Sequence, residues 1–102
     1  MKFGLPNNLT QQIIQVLKNA NVSKALIFGS RAMSTWRYNS DIDLAVVGQQ
    51  LNINRLLSQL DALPSPYLFD VLDYNQITHL ALREHIDSVG IPLYDRSNPH
   101  AS

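Results

Sequence analysis

Asp41 and Asp43 are the first residues in this sequence whose type and spacing can do chemistry. They are two apart in a strand-like segment, so the two-residue period of a strand puts both on one face, with Ile42, Leu44 and Val46 on the other. The apolar face suits a helix layer. Two adjacent carboxylates repel and cannot be buried bare, so water or a cation must face them. Hard oxygen donors one pleat apart suit Mg²⁺. A DxD triplet alone is a weak signal. Its neighbours strengthen it.

Gly29-Ser30 follows directly on the apolar run Ala25-Leu26-Ile27-Phe28, eleven and thirteen residues before the two carboxylates counted from Ser30. A glycine there lets backbone approach a phosphate closely. The N–H groups of Ser30, Arg31 and Ala32 at a helix start would form an anion site. The plainer reading has Gly29 ending the strand and Ser30 capping the helix. A phosphate cradle beside a metal-shaped acidic pair is what nucleotide chemistry needs. A third carboxylate comes from Leu68-Phe69-Asp70-Val71-Leu72-Asp73. Asp70 and Asp73 are three apart and face opposite ways on a strand, so only one can join the pair. Asp73 facing the site would drive Asp70 into a helix-covered core at high desolvation cost. Asp70 is therefore chosen, with Phe69 and Val71 on the core face and Asp73 at the strand end, able to reach water or cap the next helix.

Asn8 is expected to cap a first helix, with Gln11 completing a capping box, and Leu9, Ile13, Val16, Leu17 and Ala20 falling at helical spacing. Lys24 to Phe28 is a strand, Ser30 to Ser34 a helical turn or short helix, Trp36 to Ser40 a loop, and Asp41 to Val47 a second strand closed by Gly48. Asn52 caps a helix carrying Ile53, Leu56, Leu57 and Leu60, stopped by Pro64 and Pro66. Leu68 to Asp73 is the third strand. A last helix is expected from about Gln76 to Val89, ended by Gly90, before an extended Ile91-Pro92-Leu93-Tyr94. The order predicts a small α/β domain with helices on one or both sheet faces.

Composition bounds the partners. The 102 residues suit one domain, expected over 1–96 with a polar tail at 97–102. Eight basic and eight acidic residues balance to zero, which argues against direct nucleic-acid binding or a polybasic membrane surface. Cysteine is absent, removing disulfides, zinc-thiolate sites and thiol nucleophiles, and fitting a cytoplasmic protein. No apolar run is long enough for a membrane span, and the start of the chain lacks a signal-peptide core. The chain is too short for a catalytic domain plus a substrate domain, so a large substrate would be gripped partly by another chain, in a homo- or hetero-oligomer.

Gly29-Ser30, ten residues, then Asp41-Ile42-Asp43 resembles the GS-x10-DxD signature of the DNA polymerase β-like nucleotidyltransferase superfamily. The fuller strings Leu26-Ile27-Phe28-Gly29-Ser30-Arg31-Ala32 and Ser40-Asp41-Ile42-Asp43-Leu44-Ala45-Val46, with Phe69-Asp70-Val71-Leu72-Asp73 and Ile91-Pro92-Leu93-Tyr94-Asp95-Arg96, resemble the minimal nucleotidyltransferases (MNT) paired with HEPN-domain toxins. The resemblance implies a polymerase β-like α+β fold with a small mixed sheet. It further implies transfer of AMP from ATP to a tyrosine of the HEPN partner, as a type VII-like antitoxin, with loss of pyrophosphate. Asp41, Asp43 and Asp70 would be catalytic and hold two Mg²⁺. Gly29, Ser30, Arg31 and Ser40 would bind the nucleotide. Alternatives are a binder that masks its partner without catalysis, and a small-molecule transferase of the aminoglycoside-modifying kind. Many relatives carry Gly where this chain has Ser34, and Trp36, Arg37 and Tyr38 are bulky for a tight loop.

Several residues have two readings. Arg31 can neutralise phosphate, face a partner, or be a solvated first-turn arginine. Trp36 and Tyr38 can stack on adenine or form an interface. His79 and His85, six apart and off helical ligand spacing, are expected to be structural or surface. Asp61, Glu84 and Asp87 are expected to be solvated, and Tyr94 to pack at the core edge.

Overall fold

The computed structural model describes residues 3–33, 35–37 and 40–97; Ser34, Tyr38 and the tail from residue 98 onward lie outside them. Helix α1 spans Asn7–Asn19. It begins one residue ahead of the expected cap. Pro6, with φ −60° and ψ 144°, occupies the cap position, and its carbonyl accepts both the Thr10 N–H and the Thr10 hydroxyl. The fixed proline φ sets the entry, and no side-chain cap bond forms. Asn8 therefore lies inside the first turn. Leu9, Ile13, Ile14 and Leu17 form the buried face.

Strand β1 (Lys24–Phe28) runs into a single 3-10 turn over Gly29–Arg31, where a turn or short helix was expected. Strand β2 (Ile42–Val47) leads to helix α2 (Ile53–Asp61), whose Asn52 cap accepts the Arg55 N–H as expected. Strand β3 covers Phe69–Asp73. Helix α3 then starts at Leu80 and not near Gln76. The Asp73 carboxylate accepts the Asn75 N–H and bends the chain into a 3-10 turn, Tyr74–Gln76. His79 caps α3, its Nδ1 accepting the Leu82 N–H, so this histidine is structural. The closing extended segment is a true strand, β4 (Ile91–Asp95).

The sheet order is β3-β2-β1-β4. β1 runs antiparallel to both β2 and β4, while β2 and β3 are parallel, so the sheet is mixed as expected. Pro92 sits on the edge strand β4, the place in a sheet where proline is tolerated. Alternation sorts the strands into two faces. Ala25, Ile27, Ile42, Leu44, Val46, Phe69, Val71 and Leu93 pack with α1 and α2. Tyr94 joins that cluster, as expected of a core-edge ring. On the opposite face α3 contributes Ile86 to a smaller cluster with Phe28 and Ala45. Asp43 shares this second face with Ala45 by strand parity, at the end of β2 where β1 arrives. Among the described residues no helix is long and apolar enough to cross a membrane.

Candidate active site

The third carboxylate is placed by register. In the parallel β2–β3 pair, Asp43 stands opposite Asp70. Cα partners on adjacent strands project their side chains to the same face, so Asp70 joins Asp43. Asp73 is turned to its capping bond. Asp41 precedes β2 and is exposed, as is Asp70, while Asp43 is half-buried.

The charges interact. Burial holds the Asp43 carboxyl above the ordinary carboxylate pKa, and the negative charges of Asp70 and Asp41 push it further up, opposed by Arg31. A carboxylate held up by its own neighbours attracts a cation or a proton. Among the described residues no three His, Cys, Asp or Glu side chains close into a ready-made metal cage. Open carboxylates of this kind suit Mg²⁺, which typically takes one or two protein carboxylates and completes its shell with water and substrate phosphates.

Gly29 meets the acidic face directly. Its φ is +71°, a region costly for residues with a Cβ, and a Cβ there would overlap the Asp43 Oδ2. Only glycine lets the turn press against this carboxylate. Among the described residues the half-buried Ser30 hydroxyl has no hydrogen-bond partner and is available to a ligand. The Ser30 carbonyl accepts the N–H groups of Met33 and Thr35, which folds the following loop back on the turn. Of the three N–H groups expected to be free, that of Ala32 is committed to the Gly29 carbonyl.

Arg31 differs from every sequence reading of it. It is 2% exposed. Nη1 donates to the Phe3 carbonyl at 2.8 Å, and Nη2 and Nε donate to the Ser40 carbonyl at 2.7 and 3.2 Å. The Tyr67 and Trp36 rings lie 4.8 and 5.8 Å from the guanidinium carbon. Burial lowers its pKa, opposed by the neighbouring Tyr67 and by the negative charges of Asp41 and Asp43. Its donors thus hold backbone, and neither solvent nor an interface. Trp36 packs over Gly4 as well as Arg31, so its ring belongs to this local assembly. Ser40 binds Arg31 through its carbonyl, and its Oγ accepts the Arg37 N–H. Tyr67 was not singled out by the sequence. Its only signal is an aromatic just ahead of the Asp70 strand. His85 packs edge-on against Phe28, with ring centroids 6.4 Å apart, on the same sheet face as Asp43.

The structure thus brings a glycine turn against Asp43, whose carboxyl is coupled to those of Asp41 and Asp70. Residues 11–99 match the family model for "Polymerase beta, Nucleotidyltransferase", and the chain belongs to that family. Several solved structures resemble it. A crystal structure of a toxin-antitoxin with AMP-PNP is 26% identical, with a TM-score of 0.65 over 84% of this chain and 73% of that one. A crystal structure of the toxin-antitoxin MntA-HepT is 22% identical, with a TM-score of 0.60 over 91% and 75%. A tri-AMPylated Shewanella oneidensis HEPN toxin in complex with its MNT antitoxin gives 22%, 0.60, 89% and 73%. These likenesses support the resemblance to MNT antitoxins. No curated protein matches the chain.

Proposed function

We propose that this protein transfers AMP from ATP to a tyrosine hydroxyl of a HEPN-domain toxin and so acts as the antitoxin of the pair. The observation that carries the reading is the register pairing of Asp43 with Asp70 beneath Gly29. A pure binder has no use for three repelling carboxylates at one strand end. The similar toxin-antitoxin structures, one with AMP-PNP and one with an AMPylated HEPN toxin, supply the donor and acceptor classes.

Asp41, Asp43 and Asp70 would hold Mg²⁺, as two ions by resemblance, and the metal when bound supplies positive charge that orients the triphosphate and offsets charge developing on the entering and leaving oxygens. The chain's own residues do the rest. Gly29 brings the backbone of the turn close to the β and γ phosphates, and the Ser30 hydroxyl offers a hydrogen bond to them. The acceptor hydroxyl oxygen forms a bond to the α phosphorus as the bond to the bridging oxygen breaks, and pyrophosphate leaves. Asp70, on the open edge strand, takes the hydroxyl proton. The exposed edge at Asp70 leaves room for a protein acceptor.

The test is turnover against a HEPN partner. A trace of this protein with ATP and Mg²⁺ is expected to inactivate excess toxin, add whole AMP units to it, and leave it inactive after separation. Silencing that follows stoichiometry, ignores ATP, survives Asp41→Asn with Asp43→Asn and reverses on separation would replace transfer by masking.

A further inference from the structure

Asp41 lies outside both ladders. The β1–β2 register ends at Phe28 opposite Asp43, and the β2–β3 register begins at Ile42 opposite Phe69. No strand pairing therefore fixes Asp41. Downstream its neighbour is tied by the Ile42 N–H to the Leu68 carbonyl. Upstream the chain arrives from a loop that left the cradle nine residues earlier, at Arg31. The Arg31 guanidinium closes that span by gripping the Ser40 carbonyl with two donors. Its third bond reaches the Phe3 carbonyl, and two aromatic rings hold its plane. Gly4, at φ +70°, leaves no room for a Cβ beneath the Trp36 ring, so the N-terminal segment and Trp36 are packed as one piece.

We infer that Arg31 is a positioning residue: through the Ser40 carbonyl it sets where Asp41 stands relative to the Gly29-Ser30 turn, and the N-terminal segment at Phe3 and Gly4 is part of that brace. Arg31 touches neither phosphate nor metal in this role. A planar fork of donors is required, because lysine cannot hold one carbonyl with two donors while reaching a second. The consequence for Mg²⁺-dependent nucleotide binding rests on the reading of the acidic face as the transfer site. The brace itself does not.

The experiment compares wild type, Arg31→Lys and Gly4→Ala by amide hydrogen exchange and by calorimetric titration with ATP, with and without Mg²⁺. The Ser40 N–H bonds the Arg37 carbonyl and the Arg37 N–H bonds Ser40 Oγ, so these two amides report the loop end. In Arg31→Lys their exchange is expected to quicken at least about ten-fold while Ile27 and Leu44 stay protected, which separates a local release from global destabilisation. Affinity for ATP with Mg²⁺ is expected to fall about ten-fold, and affinity without Mg²⁺ to change less than about two-fold. Gly4→Ala, remote from the carboxylates, should show the same pattern more weakly, and it carries the test if Arg31→Lys fails to fold. Wild-type exchange at Arg37 and Ser40 in the folded variants overturns the brace. Faster exchange with unchanged Mg²⁺-ATP affinity overturns the positioning of Asp41. If wild type itself binds no Mg²⁺-ATP, the function proposed above fails, and the exchange data still decide whether the brace exists.

Discussion

Gly29→Ala has two separable costs. The first is conformational. A φ of +71° is expensive for any residue with a Cβ, about 1–2 kcal/mol. The second is steric, because the added methyl overlaps the Asp43 carboxylate, and forcing a side chain aside in a packed site costs about 1–3 kcal/mol. Together the substitution is expected to destabilise by about 2–5 kcal/mol, which in a domain of this size lowers Tm by roughly 10–40 °C. The assay is a double-mutant cycle by thermal and denaturant unfolding on wild type, Gly29→Ala, Asp43→Ala and the double variant. Removing the Asp43 carboxylate removes only the steric part. Gly29→Ala is therefore expected to cost just about 1–2 kcal/mol in the Asp43→Ala background, a coupling of about 1–3 kcal/mol. Costs that add to within about 0.5 kcal/mol would refute the direct approach of the turn to Asp43.

Asp43→Asn is expected to abolish transfer by orders of magnitude while raising stability at pH 7. The Asp43 pKa is held above the usual 3.8 in the folded protein, by burial first and then by Asp70 and Asp41, so the ionised group opposes folding. That penalty appears as pH rises from 3.8 through the raised value, so denaturant unfolding at pH 7 and pH 3 should show the variant's advantage only at the higher pH. Asn52→Ala removes the cap acceptor of α2, at the far end of β2 from Asp43, and is expected to cost about 1 kcal/mol in unfolding experiments with transfer unchanged. Mg²⁺ titrated alone into the protein should bind weakly and tighten with nucleotide; tight stoichiometric binding of the metal by itself, read by calorimetry, would contradict an open site completed by phosphates.

The acidic pair was legible because strand alternation is local: two carboxylates at a spacing of two, framed by Ile42 and Leu44, declare their face. Asp70 was chosen over Asp73 on the same parity, and the β3 burial pattern agrees with it. Asp70 was expected to join the pair, but the parallel register that sets it opposite Asp43 was not readable, since it depends on pairing between strands more than twenty residues apart. Helix ends misled where a neighbour competed: Pro6 took the cap from Asn8, and the Asp73 and His79 side chains divided a segment whose apolar spacing reads as one helix. Arg31 was the largest difference. Exposure is the ordinary state of arginine, and its burial arises from Phe3, Trp36, Ser40 and Tyr67, which only the folded chain brings together.

The face formed by Asp41, Asp43 and Asp70 is expected to perform nucleotidyl transfer and not phosphoryl transfer or simple masking. The direct measurement uses ATP labelled at the α phosphorus in one reaction and at the γ phosphorus in another, each with Mg²⁺ and a HEPN-domain partner. The α label should become covalently attached to the partner, the γ label should leave as pyrophosphate, and both events should disappear with Asp43→Asn. Attachment of the γ label, or silencing of the partner with neither label attached, would rule out nucleotidyl transfer at this face.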